Sequence, residues 1–234
     1  MNQDGTKTLL EPALLQWLKT LSPQPPKVLI SACLAGQNVR YDGREKSLGQ
    51  VLTTLSAALE LVQHCPEMDA GMGVPRKPIQ WVQTSKGQRQ LQWVEQPGVA
   101  VDFPLRERAE HWCQQQAELH AAIIKARSPS CGKDTTPLLS EQGDTVQWID
   151  GVFVHTLAQT YPDLTIVDEH YFTREVDIVW FVVGVYLQAG KPAGLETVNL
   201  LNSDLPWQGN LEQFLDTPTQ DRDRHVQTLV SRLG

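Results

Sequence analysis

Cys33, Cys65 and Cys131 carry the most chemistry in this chain, and each follows a short apolar run. Val28-Leu29-Ile30-Ser31-Ala32 breaks at Cys33. Leu59 to Gln63 delivers His64-Cys65-Pro66-Glu67, and Ala121-Ala122-Ile123-Ile124-Lys125-Ala126 empties into Arg127-Ser128-Pro129-Ser130-Cys131-Gly132. Such runs, bounded by turn residues, read as buried strands. In an open parallel sheet the strand C-termini share one edge, where ligand sites form. Cysteines 32 and 66 residues apart would therefore converge without a local C-x-x-C motif. Three soft thiolates on such an edge suit zinc or an iron–sulfur cluster, and three ligands rather than four leave one metal position open. Free cysteine is also among the most buried residue types, so topology alone is equally consistent with three separate, inert thiols.

The surrounding pattern supplies the elements that must position these residues. Leu10, Leu14, Trp17, Leu18 and Leu21 recur at helical spacing until Pro23, Pro25 and Pro26 stop them, predicting an N-terminal helix and linker over residues 1–26. Arg40-Tyr41-Asp42-Gly43 has turn chemistry. Leu48, Val51, Leu52 and Leu55 predict a helix, and Ile79-Gln80-Trp81 with Leu91-Gln92-Trp93 a hairpin about Lys86-Gly87. Leu105 to Leu119 reads as a helix containing Cys113, whose place between Trp112 and Gln114 makes it a core or surface thiol rather than a ligand. A last unit runs from a helix at Val152–Leu157 to a strand at Leu164–Val167. Alternating strands and helices predict an α/β fold with a parallel-type, Rossmann-like sheet over residues 27–170. Residues 171–234 form a mainly helical extension with a Pro-, Gly- and Asn-rich middle and a final helix carrying Val226, Leu229, Val230 and Leu233.

Composition narrows the function. A net charge of −7 argues against a large phosphate-contacting surface, so a small molecule rather than nucleic acid is the expected partner. The stretch Val176–Ala189 carries Asp177 and falls short of the ~20 residues that cross a bilayer, so a buried helix or strand is expected and no membrane partner. Met1 to Gly5 offers no basic or apolar leader, and a cytoplasmic, reducing location is expected, where cysteines serve as ligands, nucleophiles or core residues.

Five blocks in order carry a family resemblance: Ser31-Ala32-Cys33-Leu34, Val39-Arg40-Tyr41-Asp42-Gly43, Cys65-Pro66-Glu67, Val74-Pro75-Arg76-Lys77-Pro78 and Ile124 to Gly132. Over Lys27 to Glu169 the chain resembles the thiouracil desulfidase family. The resemblance implies a 4Fe-4S cluster bound by Cys33, Cys65 and Cys131, its fourth iron open to the sulfur of a thiolated pyrimidine. Sulfur would leave as sulfide without net redox change. Glu67, two residues after Cys65, is then the candidate general acid or base, against a plain loop carboxylate. Ser128 is a second catalytic candidate, against a turn former before Pro129. Arg40, Tyr41, Asp42, Arg76 and Ser130 are candidates for orienting substrate or shaping the loops. Lys125 is a candidate buried ion-pair partner, and His64, adjacent to Cys65 on the opposite strand face, is left out of the metal site.

Three other readings compete: desulfuration of thiolated nucleosides in tRNA, a non-enzymatic iron–sulfur redox sensor, and a zinc hydrolase. No DNA-binding motif supports a sensor and no basic run supports tRNA. The oligomeric state is not legible.

Overall fold

A computed structural model describes residues 9–116, 118–190 and 205–233. Met1 to Gly5 and most of the Pro-, Gly- and Asn-rich stretch lie outside the described residues. The chain divides into two compact units, one drawn from residues 1–28, 49–62 and 171–234, the other from 29–48 and 63–170.

Four strands, β1 (Lys27–Ser31), β2 (Glu60–His64), β6 (Ala121–Ile124) and β9 (Ile166–Asp168), form a sheet in the order β2-β1-β6-β9. The fold is α/β with a parallel sheet, as expected; β6 and β9 run parallel, with Ile124 opposite Asp168. Chain order reverses between β1 and β6, and in doubly wound sheets that reversal opens a crevice at the strand C-termini. β6 is buried at all four positions, consistent with its uninterrupted apolar run. Its Ala122 and Ile124 pack with Leu29 against Ala109 and Cys113 of helix α4 (Asp102–Gln115) and Phe153, Val154 and Leu157 of helix α5 (Val152–Thr160). Cys113 is thus a core thiol in this cluster. Helix α4 ends at Gln115, short of the expected Leu119, because Gln116 turns extended and the Tyr161 hydroxyl takes the Cys113 carbonyl at 2.6 Å.

The unit of residues 29–48 and 63–170 holds a five-stranded sheet that the alternation of strands and helices does not announce. Its order is β5-β4-β3-β7-β8, from β3 (Ile79–Gln83), β4 (Arg89–Trp93), β5 (Gln96–Ala100), β7 (Thr136–Ser140) and β8 (Thr145–Ile149). The expected β3–β4 hairpin forms, with Ile79 opposite Trp93 and Trp81 opposite Leu91. Ile79, Trp81, Leu91 and Leu138 form its core with Leu105, Ile149 and Val152.

In the other unit, α1 (Pro12–Leu21), α2 (Gln50–Ala58), α7 (Leu211–Leu215) and α8 (Thr219–Leu233) surround α6 (Glu175–Ala189). α6 is the expected buried helix, and no helix among the described residues is long and apolar enough to cross a membrane. Trp180 stacks on Phe214 with ring centroids 4.1 Å apart, and Gly184 gives α7 room: a Cβ there would lie 2.7 Å from Leu211 Cδ1. Asp177, fully buried, accepts from the Thr173 and Arg174 N–H groups at the helix start and pairs with Arg222 Nη1 at 2.7 Å. Arg222 also donates to the Thr217 and Leu215 carbonyls, so neither buried charge lacks hydrogen bonds.

Candidate active site

The loops after β1, β2 and β6 meet around a cavity of about 340 Å³, at the lower end of the range for small-molecule sites. Cys33, Cys65 and Cys131 all line it. Each is placed by a different device. Cys33 sits in a turn closed by Leu34 N–H to Ser31 O, and its carbonyl accepts from Lys46 N–H at 2.8 Å. Cys65 is the N-cap residue of the short helix α3 (Pro66–Asp69), with Pro66 at the first helical position, where its missing N–H costs nothing.

Cys131 ends a turn held by side chains. Ser128 Oγ accepts from the N–H groups of Ser130 (3.3 Å) and Cys131 (3.1 Å), and Thr136 Oγ1 donates to Ser128 O. Phe153 N–H at the start of α5 donates to Ser130 O, and Gly151 N–H to Gly132 O. Gly151 is required by close approach, because a Cβ there would stand 2.4 Å from Ser130 C and 2.8 Å from Cys131 N.

Burial pushes all three thiols up, Cys33 to about 11. For Cys131 the neighbouring Cys65 and Cys33 add to the effect; for Cys65 the Met68 and Glu67 N–H groups at the helix start partly oppose it. Ionising three such thiols together calls for a cation among them, as a bound metal centre supplies. Soft sulfur donors without a competing carboxylate ligand suit iron–sulfur or zinc. Among the described residues only Asp168, Glu169 and His170 bring three potential ligand atoms within 4.8 Å of one another, so the three sulfurs are spread more widely.

Glu67 lies in the cavity wall, 9% exposed, with both carboxylate oxygens engaged: Arg76 Nε donates to Oε2 at 2.7 Å and Ser130 Oγ to Oε1 at 2.8 Å. Arg76 is itself fixed by donating to Gly73 O. Arg40, Tyr41, Arg76 and Ser128 line the cavity beside Glu67. Two expected site residues do not. Ser130 is completely buried on Glu67, and Asp42 accepts from Arg44 N–H and pairs with Arg40 at 3.8 Å, so it shapes the turn.

The His64 ring stacks on Trp112 at 4.4 Å and packs on Phe153, and burial lowers its pKa to about 4, so it stays neutral and out of the thiol set. Lys125 does form an ion pair, with Glu169. Gly151 and Glu169 carry no local motif and emerge only from the fold.

No curated protein matches the chain. A solved structure, that of the 4Fe-4S-dependent thiouracil desulfidase TudS, is similar at 27% identity over 63% of this chain and 93% of that one, with a TM-score of 0.49. The family described as 2-thiouracil desulfurase matches residues 28–169, the stretch that holds all three cysteine loops and Glu67. On that match, the chain belongs to the 2-thiouracil desulfurase family.

Proposed function

We propose that the protein is a non-redox, hydrolytic desulfidase that removes sulfur from 2-thiouracil or a related thio-base, using a 4Fe-4S cluster held by Cys33, Cys65 and Cys131. The observation that carries this reading is the convergence of buried Cys131 and half-buried Cys33 and Cys65 on one cavity with Glu67 in its wall, while Cys113 does not line it. When bound, such a cluster supplies a thiophilic iron with an open position for the substrate's sulfur.

The chain's own residues handle the protons. The reaction balances as thiocarbonyl plus water giving carbonyl plus hydrogen sulfide, with no electron transferred. Glu67, fixed by Arg76 and Ser130, takes a proton from the attacking water and returns one to the ring or the departing sulfide. Ser128 Oγ accepts two backbone N–H groups, which leaves its own proton to donate into the cavity. Arg40 and Tyr41 orient the ring at the cavity mouth, and Arg76 acts through Glu67. The domain boundaries we propose are residues 27–170 for the desulfidase domain, flanked by 1–26 and 171–234, and the reducing cytoplasm is its proposed location.

Sulfide release from 2-thiouracil by the anaerobically reconstituted protein tests this. Glu67→Gln keeps shape and hydrogen-bonding reach but loses the ionisable proton, so release should fall at least ~10²-fold with iron content unchanged. Near-normal turnover would remove Glu67 from the proton path.

A further inference from the structure

Lys125 stands at the C-terminal end of β6 and lines the cavity together with Cys33. Three contacts hold it rigidly. Its backbone N–H donates to Ser31 Oγ at 3.0 Å, its Nζ donates to Ala126 O at 2.8 Å, and the ammonium is ion-paired with Glu169 Oε1. The other Glu169 oxygen accepts from Ala126 N–H at 2.7 Å, so one carboxylate grips both the side chain and the backbone after it. Glu169 directly follows β9, whose last residue lies opposite the last residue of β6.

An ammonium has three N–H donors. Two are taken by Ala126 and Glu169, and no third acceptor is present among the described residues. The side chain is 21% exposed, so that donor is not sealed in protein. Of the other charged groups of the wall, Glu67 is engaged at both oxygens, Arg76 with Glu67 and Gly73, and Arg40 pairs with Asp42. A flexible lysine ordinarily loses much rotamer freedom on binding, whereas this one is already fixed.

From this geometry we infer that Lys125 is a specificity-determining residue that donates its remaining N–H to the exocyclic oxygen of the substrate, selecting oxo-thiopyrimidines over thiopyrimidines that lack the oxygen. The inference rests on the desulfidase reading above and adds to it the chemical class that the cavity accepts. A charge-assisted hydrogen bond of this kind is worth about 10–100-fold in discrimination.

The test uses the reconstituted holoenzyme and two probes, 2-thiouracil and 2-thiopyrimidine, with kcat/KM for sulfide release and visible absorbance as readouts. Wild type should prefer 2-thiouracil by about 10–100-fold. Lys125→Met should lose that preference by losing activity on 2-thiouracil alone. Because Lys125→Met leaves Glu169 unpaired and can impair folding, Lys125→Met/Glu169→Gln is measured beside it and should show the same loss. An unchanged ratio in the double variant, an equal fall on both probes, or loss of visible absorbance would overturn the inference, the last making Lys125 a support of the cluster. Failure of the wild type to release sulfide from 2-thiouracil would overturn the desulfidase reading first, and the inference with it.

Discussion

The buried Ser130 hydroxyl donates to Glu67 Oε1 at 2.8 Å, joining the loop that presents Cys131 to the turn that presents Cys65. Glu67 therefore has a fixed orientation only while both loops keep their places. Ser130→Ala removes one of its two side-chain hydrogen bonds inside the protein, at a stability cost of ~1–3 kcal/mol. Turnover should fall roughly 10–100-fold from misplacement of the carboxylate, with iron content retained. Thermal denaturation and sulfide release, measured on the same preparation, check both parts.

Gly151 is a steric test of the Cys131 turn. A Cβ would meet backbone atoms of Ser130 and Cys131 at 2.4–2.8 Å, and backbone cannot swing aside as a flexible side chain can. Its φ is −67°, so alanine meets no conformational barrier of its own. Gly151→Ala should displace the turn, cost ~1–3 kcal/mol and lower iron retention. Full iron retention with wild-type stability would show that the turn accommodates the methyl group.

The Asp177–Arg222 pair predicts a purely structural effect. Arg222→Met leaves a carboxylate with 1% side-chain exposure unpaired, which should destabilise the protein by ~3–5 kcal/mol. The iron-to-protein ratio of the fraction that remains folded should be unchanged, because neither residue lines the thiol cavity. Denaturant midpoints for Arg222→Met alongside the wild type provide the measurement.

The site was legible where chemistry and local pattern coincide. Cys33, Cys65 and Cys131 follow apolar runs that do form strands of one sheet, and the Arg76, Ser128 and Tyr41 blocks do reach the same cavity. For Ser130 and Asp42 the sequence left substrate orientation and loop shaping both open, because spacing cannot say which way a loop side chain turns; one faces Glu67 and the other its own turn. The second sheet was illegible for a different reason. β5 contains Pro97 and Gly98 and is exposed at every position, so it has neither the residues nor the alternation that mark a strand, and only its neighbour β4 defines it. Glu169 was invisible because its partner lies 44 residues away, across two strands that pair only in the folded sheet.

Iron and acid-labile sulfide content of the anaerobically reconstituted protein tests the central claim most directly, when measured for the wild type and for each of the four cysteine-to-alanine variants. The account predicts about four irons and four sulfides per chain in the wild type and in Cys113→Ala, whose thiol is buried in the α4–α5 core. It predicts none retained in Cys33→Ala, Cys65→Ala or Cys131→Ala. Loss of iron in Cys113→Ala would reveal a fourth ligand and close the open position, and zinc at full occupancy in the wild type would contradict the cluster altogether.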